Sequence, residues 1–395
     1  MEIVNMTKLF FLTIYTYVLV FMMRRIFINY IDKDSLYGSD FYMTDWDGGP
    51  CYCAGILHLS RNSDEEIDFF WKKTKNNVNK YLKKNNDICT FFNPLIDNYD
   101  KKKLTINDLC LEKDLTFNQI IKDEKIHRNL GCFYVLNRKE KKYLFFMDHR
   151  VYDLIAAFKF LKLRHAEIIS SMIERVPTYK YVPIFNELLI LFNLIKYTKI
   201  KNRSLGVSNY LKLQNNCVMK EITKNKVENI KMKHNLKSQH ICIGIACSHI
   251  FKATKKPINY LNVGILVGLK NERFRNNYTM IIIEVKNTEL IEMIKGIEKN
   301  IRKNSSLALS TYDIINFTSG NIQKIKDKKC DILFTNVYND NKESEKFYNG
   351  YQFVIDQIQV PFYVSSVSTY NRNFLNFQYT TNDIELQKLD STIIF

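Results

Sequence analysis

Missing from this chain is any ordered cysteine framework. Its nine cysteines, an odd number, lack the paired spacing of a structural zinc site. The closest two, Cys51 and Cys53, supply two ligands where such a site takes four. Nor is the pattern that of a small disulfide-stapled domain. Reduced and mostly buried thiols are therefore expected, and with them a body on the cytosolic side. Also missing is an apolar run long enough to cross a bilayer comfortably, which takes about 20 residues with a lower limit near 17. The nearest approach, LFFLTIYTYVLVFMM between Lys8 and Arg24, has fifteen. No small-residue cleavage site follows it; Met22-Met23-Arg24-Arg25 does. Three readings stay open for this segment: a membrane anchor whose flanking Lys8 and Arg24 snorkel to the interfaces, a signal peptide, or a buried or interfacial helix. The anchor is favoured, and the Arg24-Arg25 pair then orients the body towards the cytoplasm.

A short-period repeat and a recognised nucleic-acid-binding motif are absent too. The second absence matters because the chain is strongly basic, with a net charge of +17 and a pI near 9.2. Such a chain is drawn to anionic partners. Its lysines are scattered, however, and the densest runs, at 83–86, 101–103 and 326–329, fall in apparent loops. They read as solvated surface, and no nucleic-acid partner is expected.

What the chain has is enough apolar material for a sizeable core: 395 residues, 46% hydrophobic. Strand and helix signals alternate through two halves of similar size, which points to α/β layers. In the first half, Tyr52–Leu59 reads as a strand and 64–82 as a helix opened by acidic residues behind Ser63. A loop-rich region follows to about residue 128. Gly131–Asn137 and Tyr143–Met147 read as strands around a charged turn, and 154–176 as a helix with apolar residues at helical spacing. Residues 177–236 read as a connection that carries one very apolar helix, either core or in contact with a membrane or lipid. In the second half 239–254 reads as a helix, although its isoleucines also suit a strand. Strands are expected over 260–269, 278–285, 330–337, 351–358, 362–369 and 374–379, and a helix over 287–304 with Asn287 as its cap. The expected division is 1–30 as hydrophobic segment, 38–176 as first domain, 177–236 as linker and 237–395 as second domain.

The most informative stretch is YLFFMDHRVYDLIAAFKFL, from Tyr143 to Leu161. Two apolar segments meet at a charged break holding His149 and Asp153. An imidazole titrates near neutrality and can act as a general base. It must be held in one orientation, which a carboxylate one turn away can do. By itself a His-x-x-x-Asp spacing is a weak signal, and a strand-end histidine beside an N-cap aspartate explains it equally well. The strand–HxxxD–helix setting strengthens the catalytic reading. Other histidines have plainer readings. His249, beside Cys247 and Ser248, is expected to be structural, because sequence neighbours do not face each other on a helix.

Around that stretch the chain resembles the wax ester synthase/diacylglycerol acyltransferases. These belong to a wider group that includes chloramphenicol acetyltransferase, plant HxxxD acyltransferases and condensation domains of peptide synthetases. SDFYMTDWDGGPCYCAGILHL (39–59) is similar to the family's opening stretch, and HRNLGCFYVL (127–136) to its Pro-Leu-Trp strand. INYLNVGILVGLKNERFRNNYTMIIIEV (258–285) is similar to its strand, arginine turn and Gly-Asn. DILFTNVYND (331–340) and VPFYVSSVSTYNRNFLNFQYTTND (360–383) are similar to its Ser-Asn-Val-Pro strand and closing hairpin. The order holds over roughly 38–385. There are departures: the family's first motif histidine is Asp148 here and its motif glycine is Leu154. Its upstream Pro and Trp are Asn129 and Gly131, and its Gly-Asn is Asn276-Asn277.

The resemblance implies two chloramphenicol acetyltransferase-like α/β domains, with mixed sheets, flanking helices and a substrate tunnel between them. It implies acyl transfer from acyl-CoA, as co-substrate rather than bound cofactor, to a long-chain alcohol or diacylglycerol. His149 would be the base and Asp153 its orienting partner. Asn277, or a backbone N–H near it, would meet the oxyanion, with Asn276 beside it, and Lys270, Arg273 and Arg275 would meet the CoA. No metal is implied. The departures also fit a catalytically inactive relative that binds lipid or protein.

Overall fold

The computed structural model describes residues 14–15, 51–59, 64–84, 86–93, 95, 98–152, 199–207, 217–268, 278–305, 329–338, 348–356, 359–369 and 371–390. The helices expected over 154–176 and within 177–236 lie outside these residues. So does the expected N-terminal helix, apart from Ile14 and Tyr15, which are helical. Among the described residues no helix is long and apolar enough to cross a membrane.

The first half supplies strands β1 (Tyr52–Leu59), β2 (Thr90–Asn93), β3 (Asn98–Lys101), β4 (Cys110–Glu112), β5 (Cys132–Asn137) and β6 (Lys142–Asp148). The second supplies β7 (Cys217–Thr223), β8 (Tyr260–Gly268), β9 (Tyr278–Lys286), β10 (Ile332–Tyr338), β11 (Tyr348–Ile355), β12 (Phe362–Ser368) and β13 (Arg372–Tyr379). They form a five-stranded sheet in the order β11-β1-β6-β5-β4, a six-stranded sheet in the order β7-β13-β12-β10-β8-β9, and the hairpin β2-β3. Both large sheets are mixed: β4 runs parallel to β5, and β10 runs parallel to β8 and β12.

Strand β6 shows why its sequence reads as an unbroken apolar run. It is buried on both faces, so alternation with polar residues would be costly. Tyr143, Phe145 and Met147 enter a core shared with Cys51, Cys53 and Phe353, and with Met280, Tyr363 and Phe374 of the second sheet. Leu144 and Phe146 enter a separate core with Ala54, Ile56, Phe117 and Phe133. The helix Asp64–Lys84 carries Asp64, Glu65 and Glu66 in its first turn, where the helix dipole favours them. It buries Ile67, Trp71 and Val78, and the Trp71 ring stands edge-on to Tyr143 at 5.9 Å.

In the second half the 239–254 stretch is a helix, Ser238–Ala253, buried almost all round. Its isoleucines serve a third core beneath the second sheet, not a strand. Two elements lie within the stretch expected to connect the halves. Strand β7 pairs with β13 at the edge of the second sheet, and the helix Lys224–His234 follows directly. Asn287 is not a helix cap: the helix begins at Leu290, and the Asn287 side chain donates to the Ile258 carbonyl at 3.2 Å. The N–H of Met293 bonds the Glu289 carbonyl instead. Strand β11, from the second half, completes the first sheet by pairing antiparallel with β1 along its length.

Candidate functional site

The β1–β6 ladder pairs Tyr52 with Asp148. It continues one step further, where the His149 N–H donates to the Cys51 carbonyl at 2.8 Å. Strand β6 ends at Asp148, and His149 is the first residue of the turn that follows. His149 is buried, with 9% of its surface exposed. Tyr363 of β12 shares the core of Met147 and Cys51, and its phenol is pushed well up by burial, with the Cys53 and Cys51 thiols adding to the effect.

Asp148, the last residue of β6, is also buried. Its carboxylate accepts from the Arg150 backbone N–H at 3.0 Å, from Nε at 3.0 Å and from a terminal nitrogen at 2.7 Å. Burial alone would lower the Arg150 pKa; the Asp148 charge outweighs it and the pKa is raised. The guanidinium lies over the Phe92 ring at 4.6 Å. The Asp148 carbonyl accepts from the N–H groups of Val151 and Tyr152, both at 3.0 Å. The Tyr99 hydroxyl donates to the Arg150 carbonyl at 3.0 Å, and the Tyr152 hydroxyl to the Thr90 carbonyl at 3.2 Å.

The loop before β5 reaches the same turn. The Asp148 N–H bonds the Gly131 carbonyl at 2.8 Å. A Cβ on Gly131 would stand 2.2 Å from the Thr90 carbonyl oxygen and 2.6 Å from the Tyr152 ring, so glycine is required by close approach. Gly131→Ala is expected to cost about 1–3 kcal/mol of stability through overpacking, read as a lowered urea midpoint. Asn129 adopts φ of 61°, a left-handed conformation closed to proline.

Asp153, Lys270, Arg273, Arg275, Asn276 and Asn277 lie outside the described residues. Three of the other described histidines have structural settings. His249 is buried with Nε2 at 2.7 Å from the Leu389 carbonyl, and burial lowers its pKa. His58 Nε2 meets Gln352 at 3.0 Å. His127 packs on the Tyr52 ring at 4.7 Å, and burial lowers its pKa. All nine cysteines are free thiols, and eight are buried. Hydrogen bonding to Cys53 and burial push the Cys51 thiol well up, which suits an inert core residue. Among the described residues no group of three or more His, Cys, Asp or Glu could hold a metal ion.

A cavity of about 290 Å³ is lined by Ile56, Phe117, Leu144, Gln352 and Val354, with Cys217 at its side. The first sheet supplies most of this lining and the second sheet supplies Cys217 and Gln378; His149 is not among the lining residues. Sequence reading singled out His149 and passed over the Asp148–Arg150 pair. A signal was present: opposite charges two residues apart flank the histidine.

No protein-family profile matches the sequence, and no curated protein does. Solved structures match over nearly the whole chain. One is the trichothecene 15-O-acetyltransferase TRI3 from Fusarium sporotrichioides, at 9% identity and a TM-score of 0.59, covering 90% of this chain and 94% of that one. Another is the starter condensation domain of rhizomide synthetase RzmA, in complex with C8-CoA and Leu-SNAC, at 6% identity and a TM-score of 0.52, covering 94% and 89%. A wax ester synthase/diacylglycerol acyltransferase from Marinobacter aquaeolei VT8 aligns at 9% identity over 93% and 96%, with a TM-score of 0.45. The first two establish the fold, and the third adds nothing to it. The chain has the α/β fold of these acyltransferases and condensation domains.

Proposed function

We propose that the protein is an O-acyltransferase that moves a fatty acyl group from acyl-CoA to a long-chain alcohol or diacylglycerol. The observation that carries the reading is His149, buried in the turn directly after β6 with its backbone fixed to Cys51. The fold supports acyl transfer in general. Two proteins that share it carry that chemistry in their descriptions: an O-acetyltransferase, and a condensation domain in complex with C8-CoA.

In this reaction His149 takes the proton from the acceptor hydroxyl as its oxygen attacks the thioester carbon. The tetrahedral intermediate carries an oxyanion, which needs a preorganised donor. The sequence resemblance assigns that role to Asn277 or a backbone N–H near it, with Asn276 adjacent. Collapse breaks the C–S bond, and the CoA thiolate takes the proton back from the imidazolium. Asp153 orients the ring. Lys270, Arg273 and Arg275 meet the CoA phosphates, a use for part of the chain's positive charge. The test is purified protein with labelled acyl-CoA of several chain lengths and each acceptor. Ester formation supports the reading. Donor binding without turnover across the panel overturns it in favour of a binding module, the reading that Leu154 and Asp148 in place of glycine and histidine would favour.

A membrane-borne acceptor also suits a body tethered by the apolar segment 9–23. Deleting residues 1–30 is expected to move the protein from the membrane to the soluble fraction on ultracentrifugation. Unchanged pelleting would count against a single-pass anchor.

A further inference from the structure

Asp148, His149 and Arg150 are consecutive where the chain leaves β6 and turns. Asp148 and Arg150 grip each other through both carboxylate oxygens. The residue between them is held at its backbone by the Cys51 carbonyl. Everything around the pair is braced. Phe92 stacks under the guanidinium, Tyr99 holds the Arg150 carbonyl, and Gly131 and Cys51 hold the backbone N–H groups of Asp148 and His149. The paired side chains are largely shielded, Arg150 at 14% exposure and Asp148 at 6%. A bidentate pair so shielded is far more rigid than a surface ion pair.

We infer that the Asp148–Arg150 pair is a positioning clamp that fixes the direction of the His149 imidazole. The inference rests on the proposed acyl transfer for its rate consequences, though not for its geometry. Asp148 replaces the ring that the family resemblance would place there, and its carboxylate grips the residue two positions on. Neither residue need touch substrate. By closing the turn behind His149, the pair holds the base in one near-attack orientation, so the ordering entropy is already spent when substrate arrives.

The test uses the full chain with histidine selectively labelled at the ring nitrogens and the His149 signals assigned by their loss in His149→Gln. Arg150→Ala and Asp148→Asn are expected to change the tautomer ratio or broaden the His149 ring resonances. They should lower kcat about 10²-fold with KM held within about twofold. Arg150→Lys keeps the charge and loses the fork, and should recover part of the rate. If Arg150→Ala fails to fold, Arg150→Lys against the unmutated protein gives the same reading. Unaltered His149 resonances in the folded variants overturn the clamp whatever the activity. Altered resonances in a protein without ester turnover uphold the clamp and remove the proposed reaction instead.

Discussion

Replacing His149 with alanine is expected to lower acyl transfer by about 10²–10⁴-fold, the usual worth of a positioned general base. Alanine keeps the N–H that bonds the Cys51 carbonyl, and the Asp148–Arg150 pair behind it is untouched. The variant should therefore fold, with near-native circular dichroism and a melting temperature within a few degrees. The loss should fall on kcat, because removing the base leaves donor and acceptor contacts in place. His149→Gln fills more of the space and restores no base, so it should be as slow as alanine. A folded His149→Ala protein that turns over within a few-fold of the unmutated one would remove His149 from the chemistry.

The second large effect concerns stability, at Asp331. This residue is completely buried just before β10. Its carboxylate accepts three backbone N–H bonds: from Ser204 and Leu205, both at 2.7 Å, and from Asn262 at 2.8 Å. It thereby stitches the segment around 204 to strand β8. Asp331→Ala orphans three buried donors, each worth about 1–3 kcal/mol, and relieves one desolvated charge. The expected net loss is about 2–5 kcal/mol, read by urea denaturation. An unchanged midpoint would show that water or neighbouring carbonyls replace the carboxylate.

Asp331 also gives a pH dependence of definite sign. Burial pushes its carboxyl up to about 6 from an ordinary 3.8, against the pull of the three amide donors. The folded chain thus holds this proton more tightly than the unfolded chain. The contribution is fully present below about pH 4 and is lost as pH rises through about 6. Compared with Asp331→Asn, the unmutated protein should lose relative stability between pH 4 and 6, by roughly 2–3 kcal/mol. Above pH 7 the difference should be flat. Parallel stability curves across that range would refute it.

Most of the regular elements were legible in the sequence because their patterns are local. The apolar run of β6, the Ile- and Val-rich β8 and β9, and the acidic start of the helix Asp64–Lys84 carry their own signals. Two kinds of feature were not. Strand β7 is an edge strand, CVMKEIT, with a single fully buried residue, so burial left too faint an imprint to separate it from loop. The lysine-rich helix Lys224–His234 buries only Val227 and hides for the same reason. Asn287 suited a cap by residue type, yet its amide is used on the Ile258 carbonyl, a choice that only tertiary contacts decide. At the site, His149 stood out because a charged break between apolar runs is rare. The Asp148–Arg150 pair looked like surface charge, because sequence does not show that Phe92 and Tyr99 close over it. The sheet to which a strand belongs is likewise unwritten in its own residues.

Strand β11 has a consequence for synthesis. Tyr52 and Asp356 exchange bonds at 2.8 and 2.9 Å although 304 positions separate them. While the ribosome is still making the second half, β1 waits as an open edge with its outer N–H and C=O groups unmatched, a form prone to wrong pairing. The amino-terminal half is therefore expected not to finish folding on its own. Expressed as a fragment ending before residue 348, it should aggregate, and supplying the carboxy-terminal fragment in the same cell should rescue it by complementation.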